Sequence, residues 1–208
     1  MNHLAPLTGP KTGQIVLLHG YGSNGEDLIE LARRAQVFLP TVSWTAPDAP
    51  MIAPNGGRMW YPLVTRDVDE RAEGVELARP WLDAFLDGRE DGTPTVLVGF
   101  SQGTIVALHV GLRRQRLAGI VGFSGILGVP ERLGEATIHP PVALIHGSAD
   151  EVIPAAASER AAEQLRAAGI PVSLHISPGV GHTVDPEGLF FGIEAIRSAL
   201  AEPGSLKG

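Results

Sequence analysis

The stretch TVLVGFSQGTIVAL, residues 95–108, decides the fold. Thr95, Val96, Leu97 and Val98 form a short apolar, β-branched run of the kind buried inside a parallel sheet. Five residues later the pattern changes period: Ile105, Leu108 and Leu112 recur at helical spacing, and Arg113 and Arg114 close the last turn, where cations suit the helix dipole. Between the two lies Gly99-Phe100-Ser101-Gln102-Gly103, a strand-to-helix turn with a serine at its middle. Glycine and serine are common at any turn, so Ser101 needs its surroundings before it acquires a role.

Working outward, the same alternation runs through the chain. Candidate strands are Gln14–Leu18, Val42–Thr45, Thr95–Val98, Gly119–Phe123, Val142–Ile145 and Val172–Ile176; candidate helices are Glu26–Gln36, Gly74–Leu86, Gln102–Arg114, Ala155–Ala168 and Pro186–Leu200. That order predicts an α/β fold, a mostly parallel central sheet with helices on both faces. No repeat, linker or low-complexity block divides the 208 residues, so one domain spanning 1–208 is expected.

Composition narrows the function. With 16 basic against 23 acidic residues the chain carries a net charge of −7, the wrong sign for a nucleic-acid partner. Cysteine is absent, which excludes disulfides, thiolate catalysis and cysteine-ligated zinc. The start, MNHLAPLTGPKTG, does not read as a signal peptide, and no segment has the length of a membrane span. The expectation is a soluble, cytoplasmic protein.

In open α/β sheets, sites form beyond the carboxyl ends of the strands. There the sequence places HGYGSNGEDL (19–28), GFSQG (99–103), HGSADEVIP (146–154) and SPGVGHTVDP (177–186). Ser101, Asp150 and His182 thus each follow a different strand, in the chain order Ser, Asp, His of an α/β-hydrolase. The chemistry needs all three. A serine hydroxyl attacks a carbonyl carbon only when a neutral imidazole takes its proton, and a carboxylate on the other ring nitrogen fixes the tautomer and stabilises the imidazolium. Gly99 and Gly103 leave room for the strained turn that exposes the nucleophile.

Other residues compete for these roles. Asp48 and Asp185 are alternative acids, and a loop aspartate is often only a cap or turn former. Of the seven histidines, His19 and His146 end strands and read as bonded within their own turns, while His109 lies in the helix after the serine; each is read as a satisfied structural histidine. Only His182 follows the last strand in a glycine-rich loop. Trp60 is a candidate for the wall of a substrate pocket, with packing as the alternative.

At LLHGYGSNGEDL, APDAPMIAPNGGRMWY, GFSQGT, HGSADEVIP and GHTV, in that order and with comparable gaps, the chain resembles the phospholipase/carboxylesterase family of α/β-hydrolases, which includes bacterial carboxylesterases and acyl-protein thioesterases. The resemblance implies a serine esterase with Ser101, Asp150 and His182 as triad and no cofactor or metal. By the same analogy the backbone N–H groups of Tyr21 and Gln102 form the oxyanion hole. It also implies a small-molecule or acyl-chain ester substrate, with thioesters and lysophospholipids as alternatives, and a homodimer as one option for assembly. Two positions depart from the family pattern: Pro62 follows Trp60-Tyr61 where an aspartate is common, and Tyr21 replaces a more usual leucine.

Two competing functions have support in the sequence. Gly20-Tyr21-Gly22-Ser23-Asn24-Gly25 matches the dinucleotide-binding Gly-x-Gly-x-x-Gly after a strand and before a helix, with Asp48 at the distance of a ribose contact, so an NAD(P)-binding oxidoreductase is the alternative enzyme. A non-catalytic binding scaffold on the hydrolase fold is the other. Finally, fewer than twenty residues, SGILGVPERLGEATIHPP, separate Phe123 from Val142, too few for an inserted cap domain. An open groove over Ser101 and short to medium acyl chains are expected.

Overall fold

The computed structural model describes residues 2–65 and 68–201, and of residues 68 and 69 the backbone alone. In chain order its elements are β1 (Asn2–Leu4), β2 (Gly13–Leu18), α1 (Gly25–Ala35), β3 (Val42–Ala46), β4 (Met51–Ile52), β5 (Arg58–Met59), α2 (Val68–Asp87), β6 (Thr95–Phe100), α3 (Gln102–Gly111), β7 (Gly119–Phe123), β8 (Val142–Gly147), α4 (Ala156–Ala167), β9 (Val172–Ser177) and α5 (Pro186–Ala201). Seven strands make one sheet in the order β1-β3-β2-β6-β7-β8-β9. Every pairing in it is parallel except β1 with β3.

Period-2 alternation distributes the side chains between two cores. Val16, Leu18, Leu97, Val142 and Leu144 face the layer of α2, α3 and α4, whereas Ile15, Leu17, Val96, Val98, Ala143 and Ile145 face α1 and α5. Adjacent residues of one strand therefore serve opposite layers, which is why the strands read as unbroken apolar runs.

The expected helices and strands are present, with shifted ends. Helix α3 stops at Gly111 rather than Arg114, because the Leu112 carbonyl accepts the N–H groups of Thr137 and Ile138 from the β7–β8 connection instead of continuing the helical ladder. Helix α2 begins at Val68, six residues before the expected start, and continues through Pro80. Strand β1 and the β4–β5 hairpin are additional; strands of two or three residues are too short to show a period. The connection from Ser124 to Pro141 carries a single 3₁₀ segment, Pro130–Glu135, and no cap. No helix among the described residues is long and apolar enough to cross a membrane.

Candidate active site

Ser101 occupies the one residue between β6 and α3 and adopts φ 51°, ψ −115°. Among the described residues only Ser101 and Ser124 combine a side chain with a positive φ, a conformation that costs free energy and persists only when neighbours enforce it. The enforcing contacts are visible. Ser101 N–H donates to the Phe123 carbonyl at 2.9 Å, and the Ser101 carbonyl accepts from Thr104 N–H at 2.9 Å, starting α3. A Cβ on Gly103 would overlap the Leu18 carbonyl, and one on Gly99 would overlap Thr104 N, so the turn closes only with glycine on both sides.

The acid and the base approach from β8 and β9. Residues 148–153 turn back after β8, and Asp150 Oδ1 accepts the N–H groups of Val152 and Ile153, both at 2.8 Å. Its other oxygen, Oδ2, lies 2.7 Å from His182 Nδ1. The carboxylate is completely buried, and the imidazole is 19% exposed. Burial alone would raise the Asp150 carboxyl. The Ile153 N–H, the His182 ring and the Val152 N–H outweigh it and hold the group below its usual value. Because a carboxylate can only accept, His182 Nδ1 carries the hydrogen in the neutral ring, leaving the Nε2 lone pair free. The Phe100 ring packs against His182 with 5.0 Å between centroids, which sets the imidazole beside the residue preceding Ser101. No hydrogen bond links Ser101 Oγ to His182 in this structure; such contacts commonly tighten only when substrate binds.

The rival aspartates are engaged elsewhere. Asp185 caps α5, with Oδ2 accepting the N–H groups of Glu187 and Gly188 and Oδ1 accepting the Ser177 hydroxyl. Asp48 Oδ1 accepts Gly25 N–H at 2.8 Å at the start of α1, whose cap Asn24 accepts Asp27 N–H. That use of Asp48 as a helix cap removes the ribose contact on which the dinucleotide reading relied. Of the three structural histidines, His109 binds Glu76 at 2.7 Å, and His19 Nε2 accepts Ala49 N–H at 3.0 Å while Nδ1 faces Gly20 O at 2.7 Å. His19 is therefore neutral, with hydrogen on Nδ1, and burial lowers its proton affinity. His146 does more than serve its own turn, since its Nε2 also stands 3.1 Å from Asp150 Oδ2.

Gly20 passes so close to the elbow that a Cβ there would stand 3.3 Å from Ser101 Cβ. Tyr21 comes next. Among the described residues neither Tyr21 N–H nor Gln102 N–H has a hydrogen-bond partner, as expected for donors reserved for a ligand. The Tyr21 turn is held by the β4–β5 hairpin: Gly22 N–H donates to Arg58 O at 2.8 Å, and Arg58 N–H returns a bond to Ser23 O at 2.7 Å. Gly57 lies where a Cβ would overlap the Gly22 carbonyl, so the two chains touch backbone to backbone.

The segment that follows grips the elbow. Gln102 Oε1 accepts Trp60 N–H at 2.9 Å, and Gln102 Nε2 donates to Tyr61 O at 2.8 Å. Trp60 itself is wholly buried, with its indole N–H donating to His19 O at 2.8 Å and its ring edge-on to Trp81. The pocket-wall reading of Trp60 is thus corrected in favour of packing: a ring with no exposed surface offers nothing to a substrate. Sequence reasoning missed the Gln102 side chain and the His146–Asp150 contact. The former joins segments 41 residues apart, and the latter had no signal beyond a histidine four residues before the acid.

A strained serine at a strand–helix elbow, a buried carboxylate–imidazole pair two strands away and a cap-free parallel sheet define the α/β-hydrolase class. Residues 4–199 match the phospholipase/carboxylesterase family. Similar proteins include acyl-protein thioesterase 1 of Gibberella zeae, 30% identical over 89% of this chain and 92% of its own length, and esterase YpfH of Escherichia coli, 30% identical over 90% and 83%. The crystal structure of esterase PE8 superposes with a TM-score of 0.89 at 40% identity, covering 95% of this chain and 97% of that one. The chain belongs to the phospholipase/carboxylesterase family of α/β-hydrolases and is a carboxylic ester hydrolase.

Proposed function

We propose that the protein is a serine esterase that works through an acyl-enzyme on esters of short to medium acyl chain. Ser101 Oγ attacks the ester carbonyl while His182 Nε2 takes its proton, and Asp150 holds Nδ1–H and stabilises the imidazolium. The developing oxyanion accepts the free N–H groups of Tyr21 and Gln102. His182 then returns the proton to the departing alkoxide, or to a thiolate where a thioester is the substrate. A water activated by the same nitrogen releases the acid. The observation that carries this reading is the 2.7 Å bond from His182 Nδ1 to a buried Asp150 beside the strained Ser101 elbow. No observation favours the oxidoreductase or scaffold readings.

The chain-length preference follows from access. With only a 3₁₀ segment between β7 and β8, nothing folds over Ser101 from that connection, and each further methylene contributes about 0.8 kcal/mol only while it leaves water. A panel of p-nitrophenyl esters and thioesters assayed with wild type and Ser101→Ala tests both parts. We expect turnover to vanish in the variant, and in wild type kcat/KM to level off beyond medium chains without interfacial activation. Turnover retained in Ser101→Ala would refute the nucleophile; a steady rise through long chains would refute the open groove.

A further inference from the structure

We propose that the buried His19 is a positioning residue for the oxyanion hole, its ring gripping the carbonyl of the same peptide unit whose N–H is the Tyr21 donor. The proposal rests on the reading above of Tyr21 N–H as a donor to the oxyanion. His19 follows β2 directly and is wholly buried. A buried histidine need only be satisfied, and this one is. The inference comes from what its bonds hold.

Nε2 of His19 lies 3.0 Å from Ala49 N, a group that can only donate, so Nε2 is unprotonated and Nδ1 carries the hydrogen. Nδ1–H therefore donates to the Gly20 carbonyl, at 2.7 Å. The Gly20 carbonyl and the Tyr21 N–H belong to one rigid planar unit, and in a trans peptide they point in opposite directions. A ring that fixes the oxygen thus aims the hydrogen away from itself. The unit needs such a grip because of Gly20. A Cβ there would stand 3.1 Å from the Phe100 ring and 3.3 Å from Ser101 Cβ, so the close approach to the elbow calls for glycine, and glycine leaves the backbone free to turn. Two bonds remove that freedom. The Trp60 indole N–H holds the His19 carbonyl at 2.8 Å, in the peptide before Gly20, and the His19 ring holds the Gly20 carbonyl in the peptide after it. The Gly20 carbonyl also accepts Ser23 N–H at the longer distance of 3.3 Å. Loss of the ring therefore leaves the turn closed but its first peptide free to tilt.

Two consequences follow. The ring keeps Tyr21 N–H pointed at one place, and by drawing electron density toward the Gly20 oxygen it makes that N–H a stronger donor. Both act on a charge that exists only once the serine has attacked, so loss of the grip should lower kcat and leave substrate binding alone. A histidine that served only to satisfy Ala49 N–H would cost stability without touching kcat.

The test compares kcat, KM and affinity for a trifluoromethyl ketone, a mimic of the tetrahedral adduct, in wild type, His19→Asn and His19→Gln, with melting temperatures alongside. The Asn amide can place an N–H where Nδ1–H stood; the longer Gln amide reaches the position of Nε2 and Ala49 N–H instead. We expect His19→Gln to lose about 10–100-fold in kcat, less than the 10²–10³-fold known for a donor removed outright, with KM within about twofold of wild type. Ketone affinity should fall by the same factor. His19→Asn should keep both quantities within about fivefold of wild type, even where its melting temperature is the lower of the two. A Gln variant as fast as Asn, or a kcat loss not matched in ketone affinity, would overturn the proposal. NMR of the wild-type protein decides the matter if neither variant folds. When the ketone adduct forms, the Tyr21 amide proton and the buried His19 Nδ1–H proton should both move downfield, since a bound oxyanion polarises the peptide and strengthens the bond at its other end. An unmoved Tyr21 amide refutes the oxyanion reading itself, and the proposal with it. A Tyr21 amide that moves while His19 Nδ1–H stays in place refutes only this inference.

Discussion

The two flanks of Ser101 are built on different principles. On the side proposed to hold the oxyanion, the donors are backbone N–H groups, and what fixes them is largely backbone: the Gly22–Arg58 and Ser23–Arg58 bridge, the Gly57 contact, and the Gln102 amide clamped between Trp60 N–H and Tyr61 O. On the acid–base side the groups proposed to work are side chains on two loops, and one buried carboxylate is the hub for three donors. The first arrangement tolerates side-chain replacement and is vulnerable where a side chain substitutes for backbone. The second fails at single atoms. Both follow from the chemistry, since an oxyanion needs fixed dipoles and a proton shuttle needs a titratable ring held in one tautomer.

The largest contrast is expected on the acid–base side. Asp150→Asn keeps the size but presents an amide to His182 Nδ1, which favours the wrong tautomer; kcat should fall by about 10³–10⁴-fold, the scale known for this replacement in serine proteases. Asp185→Asn disturbs only the α5 cap, and its steady-state rates should stay within about threefold of wild type, with a stability loss of about 1 kcal/mol. A reversed order in kinetic assays would assign the acid to Asp185.

The oxyanion side should break at Gln102 rather than at Tyr21. Gln102→Ala strands the Trp60 N–H and the Tyr61 carbonyl in the interior, at a cost of about 1–3 kcal/mol for each. It also loosens the first turn that presents the Gln102 N–H. We expect a 10–100-fold loss, roughly, in kcat with little change in KM, and a parallel loss in affinity for a trifluoromethyl ketone that mimics the tetrahedral adduct. Tyr21→Leu leaves the backbone donor in place and should act on substrate preference alone. If Tyr21→Leu proved the more damaging to kcat, the backbone account of this flank would be wrong.

The smallest effect is one of pH and stability. His19 ties the Gly20 carbonyl to Ala49 N–H, and burial lowers its proton affinity; burial also lowers that of His109, despite its bond to Glu76. A folded pKa below the unfolded value near 6.5 means stability is complete above that pH and declines as pH falls toward the folded value. Melting temperature should therefore drop as pH falls below about 6.5. A variant lacking the buried imidazole, His19→Gln, should show a shallower decline; an identical slope would remove His19 from the explanation.

How much of this was legible in the sequence differs between the flanks in the same way. Ser101, Asp150 and His182 each follow a strand whose apolar run is unmistakable, and Val96, Leu144 and their neighbours show why: both sheet faces are covered, so every position is apolar. The hairpin that braces Tyr21 left no such trace, because two-residue strands have no period and segment 46–61 is broken up by three prolines and two glycines. Trp60 looked like a pocket residue for the same reason. Its real partners, His19 O and the Gln102 side chain, are distant in sequence and become neighbours only when β2, β6 and the hairpin meet. The Gly-x-Gly-x-x-Gly match misled in a further way. Gly20 serves a turn that passes close to Ser101, and Asp48, which a nucleotide site would direct to a ribose, caps the start of α1.

The central claim is that Ser101 is the atom-transferring centre between these two flanks. Its most direct test is intact-protein and peptide mass spectrometry after brief exposure to a fluorophosphonate, followed by assay of the treated enzyme. The account predicts one adduct per chain, on the peptide containing Ser101, with loss of esterase activity in proportion to labelling and no adduct in Ser101→Ala. Labelling at another residue, or full ester turnover by protein fully modified at Ser101, would contradict it.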